Sequence, residues 1–240
     1  FEDTTGWGDP GTTDFPPGWI ASGDRKNAAA QASGSAAIGG SGTSAYMEPL
    51  FTAVEEERRE GRESSPAVSV TLDQAAFAER VGARHAVAVN SCTAAMHLAL
   101  EAVGLERGDE VITSPYTFAA TAEVVRYFDA RPVLVDVRSE DLNLDPTLVE
   151  PAITERTRAI VPVHLGSRCA DMDRIMELAE TRSVPVIEDA AQALLSTYQG
   201  RCLGTIGHLG CLSFHETKNC ISGEGGAILI NNPAYIERAE

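Results

Sequence analysis

Short apolar segments and amphipathic segments alternate along the chain from about residue 72 onward. The apolar segments predict strands at 85–89, 110–113, 132–137, 159–164, 184–188, 211–214 and 226–230. Several of them are runs of Val and Ile instead of alternating patterns. Such runs are typical of strands buried on both faces, so we expect a parallel or mixed sheet covered by helices.

Amphipathic spacing between these strands predicts helices over 93–103, 119–128, 146–152 and 172–181. Asp145 followed by Pro146 is typical of an N-cap with proline in the first helical turn. Asp171 is placed to cap the helix over 172–181 in the same way. Strands and helices in alternation predict an α/β fold.

The N-terminal part of the chain differs from the rest. Residues 1–45 are low in complexity and offer few large apolar side chains to offset the entropy of ordering. They predict a flexible arm or a non-native leader, or else an arm that orders against a partner subunit. Residues 46–240 predict the folded domain. It would begin with a polar helix over 47–62 and a second helix over 72–81 that ends at Gly82.

The charge and the cysteines narrow the class of protein. The formal net charge of −16 argues against nucleic acid or an anionic membrane as a partner, because both need a basic surface. No apolar run has the length of a membrane span. No spacing of His and Cys is typical of a metal site. An odd number of cysteines without a CxxC pair indicates reduced thiols and a cytoplasmic protein: Cys92, Cys169, Cys202, Cys211 and Cys220.

Candidate functional residues lie directly after the predicted strands, at the edge where ligands of such sheets bind. Ser91, Cys92 and Thr93 follow the strand at 85–89 and open a helix, which is typical of an anion site and equally of an ordinary N-cap. Phe118 follows the strand at 110–113, where it could stack on a flat ring or pack in the core.

Asp189 and Lys218 follow two further strands. A carboxylate at the end of a buried strand needs a partner, and a cationic ring nitrogen would be one; Asp189 could instead cap the next helix. Lys218 could be a surface residue, a phosphate ligand or a nucleophile that bonds to a carbonyl carbon. Glycines in 223–226 would let the backbone approach a ligand or turn tightly.

An anion cradle, a stacking aromatic ring, a buried carboxylate and a lysine are together the groups that pyridoxal 5′-phosphate needs. The motifs that hold them resemble the DegT/DnrJ/EryC1/StrS family of sugar aminotransferases. The resemblance runs from about residue 72 to residue 240 and rests on five ordered motifs: SCTAA at 91–95, PYTF at 115–118, EDAAQ at 188–192, SFHETKN at 213–219 and GEGG at 223–226.

The resemblance implies a three-layer α/β/α large domain of the aspartate-aminotransferase kind (fold type I), with a mostly parallel mixed sheet. Because this family continues well past the position of Glu240, we expect the C-terminal small domain to be missing. The resemblance also assigns roles. Lys218 would be the Schiff-base lysine that also moves the proton, Asp189 would pair with the pyridine nitrogen, and Gln192 would contact the ring hydroxyl. Phe118 would stack on the ring, and the phosphate would be held by Cys92, Thr93 and Ser213.

The activity that the resemblance implies is transamination of a nucleotide-linked sugar. The segment 196–219 is most similar to dTDP-4-amino-4,6-dideoxygalactose transaminases, so we expect a dTDP-4-keto-6-deoxyhexose as substrate, glutamate as amino donor and a homodimer. Two alternatives are a non-catalytic fragment of such an enzyme and a related dehydratase or lyase. Dehydratases of the family carry histidine in place of the lysine. The segment after His164 lacks the aromatic residue common in the family, so His164 is given no role.

Overall fold

The computed structural model describes residues 51–55 and 68–240, so the predicted arm at 1–45 lies outside the described residues. The strands are β1 (Phe51–Glu55), β2 (Val68–Leu72), β3 (His85–Val89), β4 (Glu110–Thr113), β5 (Arg131–Leu134), β6 (Thr157–Val161), β7 (Ile187–Asp189), β8 (Thr197–Tyr198), β9 (Arg201–Cys202), β10 (Leu209–Ser213) and β11 (Gly226–Ile230). The helices are α1 (Gln74–Val81), α2 (Cys92–Ala102), α3 (Ala120–Arg126), α4 (Pro146–Ala152), α5 (Met172–Arg182) and α6 (Ile236–Ala239), with 3₁₀ turns at Leu165–Ser167 and Pro233–Tyr235.

A mixed, mostly parallel sheet forms the centre of the fold. One part has the strand order β3-β11-β10-β7 and the other the order β5-β4-β6. Parallel bridges from Ile160 to Val186 and from Val163 to Asp189 join β6 to the β7 side, which makes the two parts one continuous surface. Only β11 runs against its two neighbours in this surface. The predicted mixed sheet is therefore confirmed.

Helices cover both faces of the sheet because successive strand residues point to opposite sides. Cys211 of β10 packs into a core shared with α2, α3 and α6. Leu212, the next residue, packs on the other side against Phe77 of α1. Further along that side, Ile160 of β6 packs against α4 and α5. The arrangement is the three-layer α/β/α architecture that the resemblance implies.

The predicted helix caps are confirmed. The Asp145 side chain accepts a hydrogen bond from the N–H of Thr147, with Pro146 in the first turn of α4. The Asp171 side chain accepts from the N–H of Arg174 at the start of α5. Gly82 ends α1 in the left-handed conformation, with φ 76°.

Several predicted boundaries are wrong. Where a helix over 47–62 was expected, Phe51–Glu55 is a strand that pairs with β2, and the rest of that segment lies outside the described residues. Cross-strand pairing at long range overrides the local apolar spacing here. Leu72 belongs to β2 for the same reason, and α1 begins only after the Asp73 cap.

The predicted strand ends also shift where proline or a new partner interrupts the ladder. β6 stops at Val161 because Pro162 has no N–H to donate. β5 stops at Leu134, and Val137 pairs instead with Leu144 in an isolated antiparallel bridge. None of the described helices is both long and apolar enough to cross a lipid bilayer.

Candidate active site

The parallel strands place the predicted site residues at one edge of the sheet. β3, β7 and β10 point the same way, since β11 is antiparallel to both β3 and β10, and β7 is parallel to β10. Their carboxyl ends carry Cys92, Asp189, Ser213 and Lys218, and β11 begins at the same edge. Ligands of open α/β sheets bind at this edge.

The N-terminus of α2 has the properties of an anion site. Ser91 is the N-cap: its Oγ accepts from the N–H of Ala94 at 3.1 Å, and its carbonyl accepts from the N–H of Ala95 at 3.0 Å. The N–H groups of Cys92 and Thr93 lie in the first turn, where a helix offers no acceptor. Together with the helix dipole they can bind a phosphate. The capping and anion-site interpretations are therefore compatible.

Gly226 brings the start of β11 against this helix terminus. A Cβ atom at position 226 would lie 2.5 Å from the carbonyl carbon of Ser91 and 2.7 Å from the nitrogen of Cys92. Both neighbours are backbone atoms, which cannot move aside. Glycine is required here because two backbone segments of the chain approach each other closely, a reason that differs from the predicted approach to a ligand or tight turn.

Asp189 is a buried carboxylate that has only neutral partners. It is 5% exposed. Oδ2 accepts from Thr121 Oγ1 at 2.7 Å and Oδ1 accepts from the N–H of Ala191 at 3.2 Å. No salt bridge reaches Asp189 within the described ranges. The alternative that Asp189 caps a helix is wrong, because residues 190–195 form turns instead of a helix.

The environment of Cys92 places the charges of Asp189 and Lys218 close to it. Burial raises the pKa of the Cys92 thiol well above its ordinary value, and the Asp189 carboxylate raises it further. The Lys218 ammonium acts in the opposite direction on the same pKa. A raised pKa favours the neutral thiol, so Cys92 would serve an anion through its backbone N–H.

Lys218 lies in a loop that is closed at both ends. The N–H of Phe214 donates to the carbonyl of Gly225 at 2.9 Å, and the N–H of Lys218 donates to the carbonyl of His215 at 2.9 Å. Asn219 Nδ2 donates to the carbonyl of Leu194 at 2.9 Å, which ties the loop to the segment after Asp189. Lys218 is half-buried, and no carboxylate in the described part of the chain pairs with its ammonium.

Phe118 is solvent-exposed instead of packed in the core. Its side chain is 76% exposed, so the core alternative is wrong. The carbonyl of Phe118 accepts from the N–H of Thr121, the residue whose hydroxyl binds Asp189. An exposed aromatic ring tied in this way to the buried carboxylate is suited to stacking on a ligand.

Gln192 and Ser213 each keep a donor for a ligand. Gln192 Oε1 accepts from the N–H of Gly166 at 2.7 Å, which leaves its Nε2 as the end that can meet an acceptor. Ser213 is 5% exposed, and its Oγ accepts from the N–H of His215 at 3.4 Å, so its hydroxyl proton can be donated elsewhere.

Sequence reasoning missed Thr121, Glu188 and His164. Thr121 gave no signal, since its partner Asp189 is 68 positions away along the chain. Glu188 had a usable one: two consecutive carboxylates ending a buried strand point to opposite faces and need separate partners. Glu188 and His164 are both fully buried and bonded to each other at 2.8 Å.

These groups fit pyridoxal 5′-phosphate in kind. Helix N–H groups and a serine hydroxyl suit its phosphate, the buried Asp189 carboxylate suits its ring nitrogen, and the Lys218 amine suits its aldehyde. The described residues hold no cluster of three or more His, Cys, Asp or Glu side chains that could bind a metal ion.

Comparison with known proteins points to the same cofactor. The DegT/DnrJ/EryC1/StrS aminotransferase family matches residues 59–240. The chain belongs to this family. Its enzymes are sugar aminotransferases that depend on pyridoxal 5′-phosphate, which confirms the cofactor and the fold that the sequence motifs implied.

Individual relatives agree with the family assignment. The spore coat polysaccharide biosynthesis protein SpsC of Bacillus subtilis is 51% identical over 162 residues, which cover 68% of this chain and 42% of SpsC. NtdA of Bacillus subtilis, solved with bound PMP, has a TM-score of 0.65 at 33% identity over 69% of this chain and 38% of NtdA. DesI, solved in the presence of its TDP-sugar product, has a TM-score of 0.65 at 36% identity over 69% of this chain and 42% of DesI. The chain therefore spans less than half the length of these relatives.

Proposed function

We propose that the protein transfers the amino group of glutamate to the keto carbon of a dTDP-linked 4-keto-6-deoxyhexose, as a homodimer in the cytoplasm. The observation that carries this proposal lies at one sheet edge. Among the residues that the structure describes, the buried Asp189 carboxylate has no cationic partner and the Lys218 ammonium has no anionic one. The reaction exchanges the amino group of one substrate for the keto oxygen of the other, so it needs no external oxidant or reductant.

Each residue has a separate task in this reaction. Bound pyridoxal 5′-phosphate supplies an electron sink that makes the proton on the amino-bearing carbon acidic. Lys218 would hold the cofactor through its side-chain amine, and the same amine would move the proton of the amino-bearing carbon. Asp189 would keep the ring nitrogen protonated, which would maintain the electron sink.

The remaining residues would position the cofactor. Phe118 would stack on the ring, and Gln192 Nε2 would donate to the ring hydroxyl oxygen. The N–H groups of Cys92 and Thr93 and the hydroxyl of Ser213 hold the phosphate.

Two relatives support the class of substrate. DesI was solved with a TDP-sugar product, and SpsC is named for polysaccharide biosynthesis. The lysine at position 218 favours amino transfer over dehydration, because the amino group must return to a lysine-held cofactor. We place the protein in deoxysugar or cell-surface polysaccharide biosynthesis on these grounds.

The test is a coupled product assay. The chain with pyridoxal 5′-phosphate, glutamate and dTDP-4-keto-6-deoxyglucose should form an amino-sugar nucleotide and 2-oxoglutarate in equal amounts, detected by mass spectrometry. Lys218→Ala should form neither. A panel of amino donors and keto-sugar nucleotides separates a wrong substrate from a wrong reaction. No product with any pair would contradict the proposal and favour a non-catalytic chain. Equal product from Lys218→Ala would contradict the role of Lys218 in the reaction.

A further inference from the structure

Glu188 is a fully buried carboxylate whose hydrogen-bonding capacity is filled by four donors. Its Oε1 accepts from the N–H groups of Ile206 at 2.7 Å and Gly207 at 2.5 Å. Its Oε2 accepts from the N–H of Gly204 at 2.8 Å and from His164 Nε2 at 2.8 Å. A carboxylate out of contact with water is stable only when its oxygens are satisfied in this way.

The bonds of His164 define the charge state of the pair. His164 Nδ1 accepts from the N–H of Ala170 at 3.1 Å, so the ring proton is on Nε2 and is donated to Glu188. Every partner of the carboxylate is thus a donor. A proton on Glu188 would find no acceptor, so the pair is a neutral imidazole and an ionised carboxylate.

One side of the pair holds the residues that would face the cofactor. Glu188 and Asp189 are consecutive in β7, so they point to opposite faces of the sheet. The N–H of His164 donates to the carbonyl of Asp189 at 3.1 Å. The 3₁₀ turn that follows His164 then binds Gln192 through the N–H of Gly166 at 2.7 Å.

The other side of the pair holds the turn 203–207 flat against the sheet. A Cβ atom at position 210 in β10 would lie 2.1 Å from the carbonyl oxygen of Gly204, so the turn and the strand are in direct backbone contact. Three N–H groups of this turn bind the one carboxylate. Glu188 therefore joins β7, the turn 203–207 and the segment after His164.

We propose that the buried His164–Glu188 pair is a positioning unit that orients Asp189 and Gln192 for the cofactor, a role that rests on the proposed function. Neither residue touches the cofactor in this account. They act by fixing the orientation of β7 about its own axis and the backbone path of the 3₁₀ turn that binds Gln192.

Glu188→Gln tests this role, with Glu110→Gln as the matched control. Glu110 is also buried and accepts three side-chain hydrogen bonds, but it starts β4 at the opposite edge of the sheet. In the cofactor-free chain, Glu188→Gln should speed amide exchange at Gly166 as well as in turn 203–207 by about tenfold. It should also raise the dissociation constant of pyridoxal 5′-phosphate by about tenfold. Glu110→Gln should leave both unchanged.

Two substitutions of His164 keep the test valid if Glu188→Gln fails to fold. A glutamine amide can reach Glu188 as the imidazole Nε2 does, whereas an asparagine amide is too short. His164→Gln should therefore bind the cofactor nearly as the wild type does, and His164→Asn about tenfold more weakly.

Equal binding by the two His164 variants would overturn the inference, as would faster exchange in Glu188→Gln confined to turn 203–207. A wild-type chain that fails to bind the cofactor overturns the proposed function and this inference with it. Normal wild-type binding that is unchanged in Glu188→Gln overturns the inference alone.

Discussion

At the scale of single residues, Asp189 shows how the fold prepares a charge for a ligand. The carboxylate is shielded from water and receives one hydroxyl and one backbone N–H. A cation that arrives in this environment is attracted more strongly than it would be in water. The predicted partner, a protonated ring nitrogen, would supply that cation.

Thr121→Val removes the hydroxyl bond to Asp189 while keeping the shape of the side chain. Loss of a hydrogen bond to a charged group should lower the unfolding free energy by about 1.5–3 kcal/mol. Added pyridoxal 5′-phosphate should stabilise this variant more than the wild type, because its carboxylate has lost a partner. Urea denaturation with and without the cofactor measures both effects.

Thr117→Val is the control for that substitution. The Thr117 hydroxyl is 2.8 Å from the hydroxyl of Thr121 and makes no bond to Asp189. Its loss should cost only about 0.5–1.5 kcal/mol and leave the gain from the cofactor at the wild-type value. Equal behaviour of the two variants would show that the hydroxyl does not support Asp189.

The residue scale also shows what a sequence can reveal about a site. Asp189 and Lys218 could be singled out because each directly follows a recognisable strand. Thr121 and the donors to Glu188 could not, since their contacts depend on how separate segments meet in three dimensions. The local chain contains the reactive groups, but the groups that orient them are defined only by the packing.

At the scale of secondary-structure elements, two helices end in the same backbone conformation with different residues. α1 ends at Gly82 with φ 76°, and α5 ends at Ser183 with φ 55°. The left-handed conformation costs a non-glycine residue about 1–2 kcal/mol, which exceeds the extra chain entropy of glycine at about 0.5–1 kcal/mol. Serine is therefore the less favourable residue at this position.

Ser183→Gly should raise the unfolding free energy by about 0.5–1 kcal/mol, and Gly82→Ser should lower it by a similar amount. A Cβ atom at position 82 would meet no other atom within 4 Å, so the second change mainly reports the backbone conformation. Chemical denaturation of both variants measures the two changes in unfolding free energy. Changes of the same sign would contradict this explanation.

The helices and strands differ in whether neighbouring residues or distant partners determine their boundaries. β3, β4, β11 and α4 have the predicted boundaries, because caps and continuous apolar runs define them within a few residues. The local spacing predicts a helix at β1, and this prediction is wrong because the partner strand β2 lies beyond the window in which helical spacing is judged. The hairpin of β8 and β9 is too short to give any periodic signal.

At the scale of the whole molecule, acid should weaken the fold through identifiable groups. Hydrogen bonds from Thr154 and Arg131 hold the pKa of Glu110 below its ordinary value of 4.5. A carboxyl whose pKa is lowered on folding stabilises the fold above its unfolded pKa. That contribution is lost as the pH falls through the lower, folded pKa. Burial lowers the pKa of His208, so its protonation opposes folding in acid as well.

The stability advantage of the wild type over Glu110→Gln should therefore shrink as the pH is lowered from about 6 to about 3. Both proteins retain His208, so its contribution cancels in the comparison. Urea denaturation across this pH range measures the difference in unfolding free energy between the two proteins. An advantage that stays constant or grows in acid would show that Glu110 is not ionised in the folded protein.

The most direct test of the whole account is whether Lys218 bonds to the cofactor. The chain has two lysines, Lys26 and Lys218, so each can be replaced in turn. During titration with pyridoxal 5′-phosphate, the wild type and Lys26→Ala should gain the absorbance band of a lysine-bound cofactor, and glutamate should bleach it. Lys218→Ala should gain no such band. A band that persists in Lys218→Ala, or a folded wild type that gains none, would contradict the account.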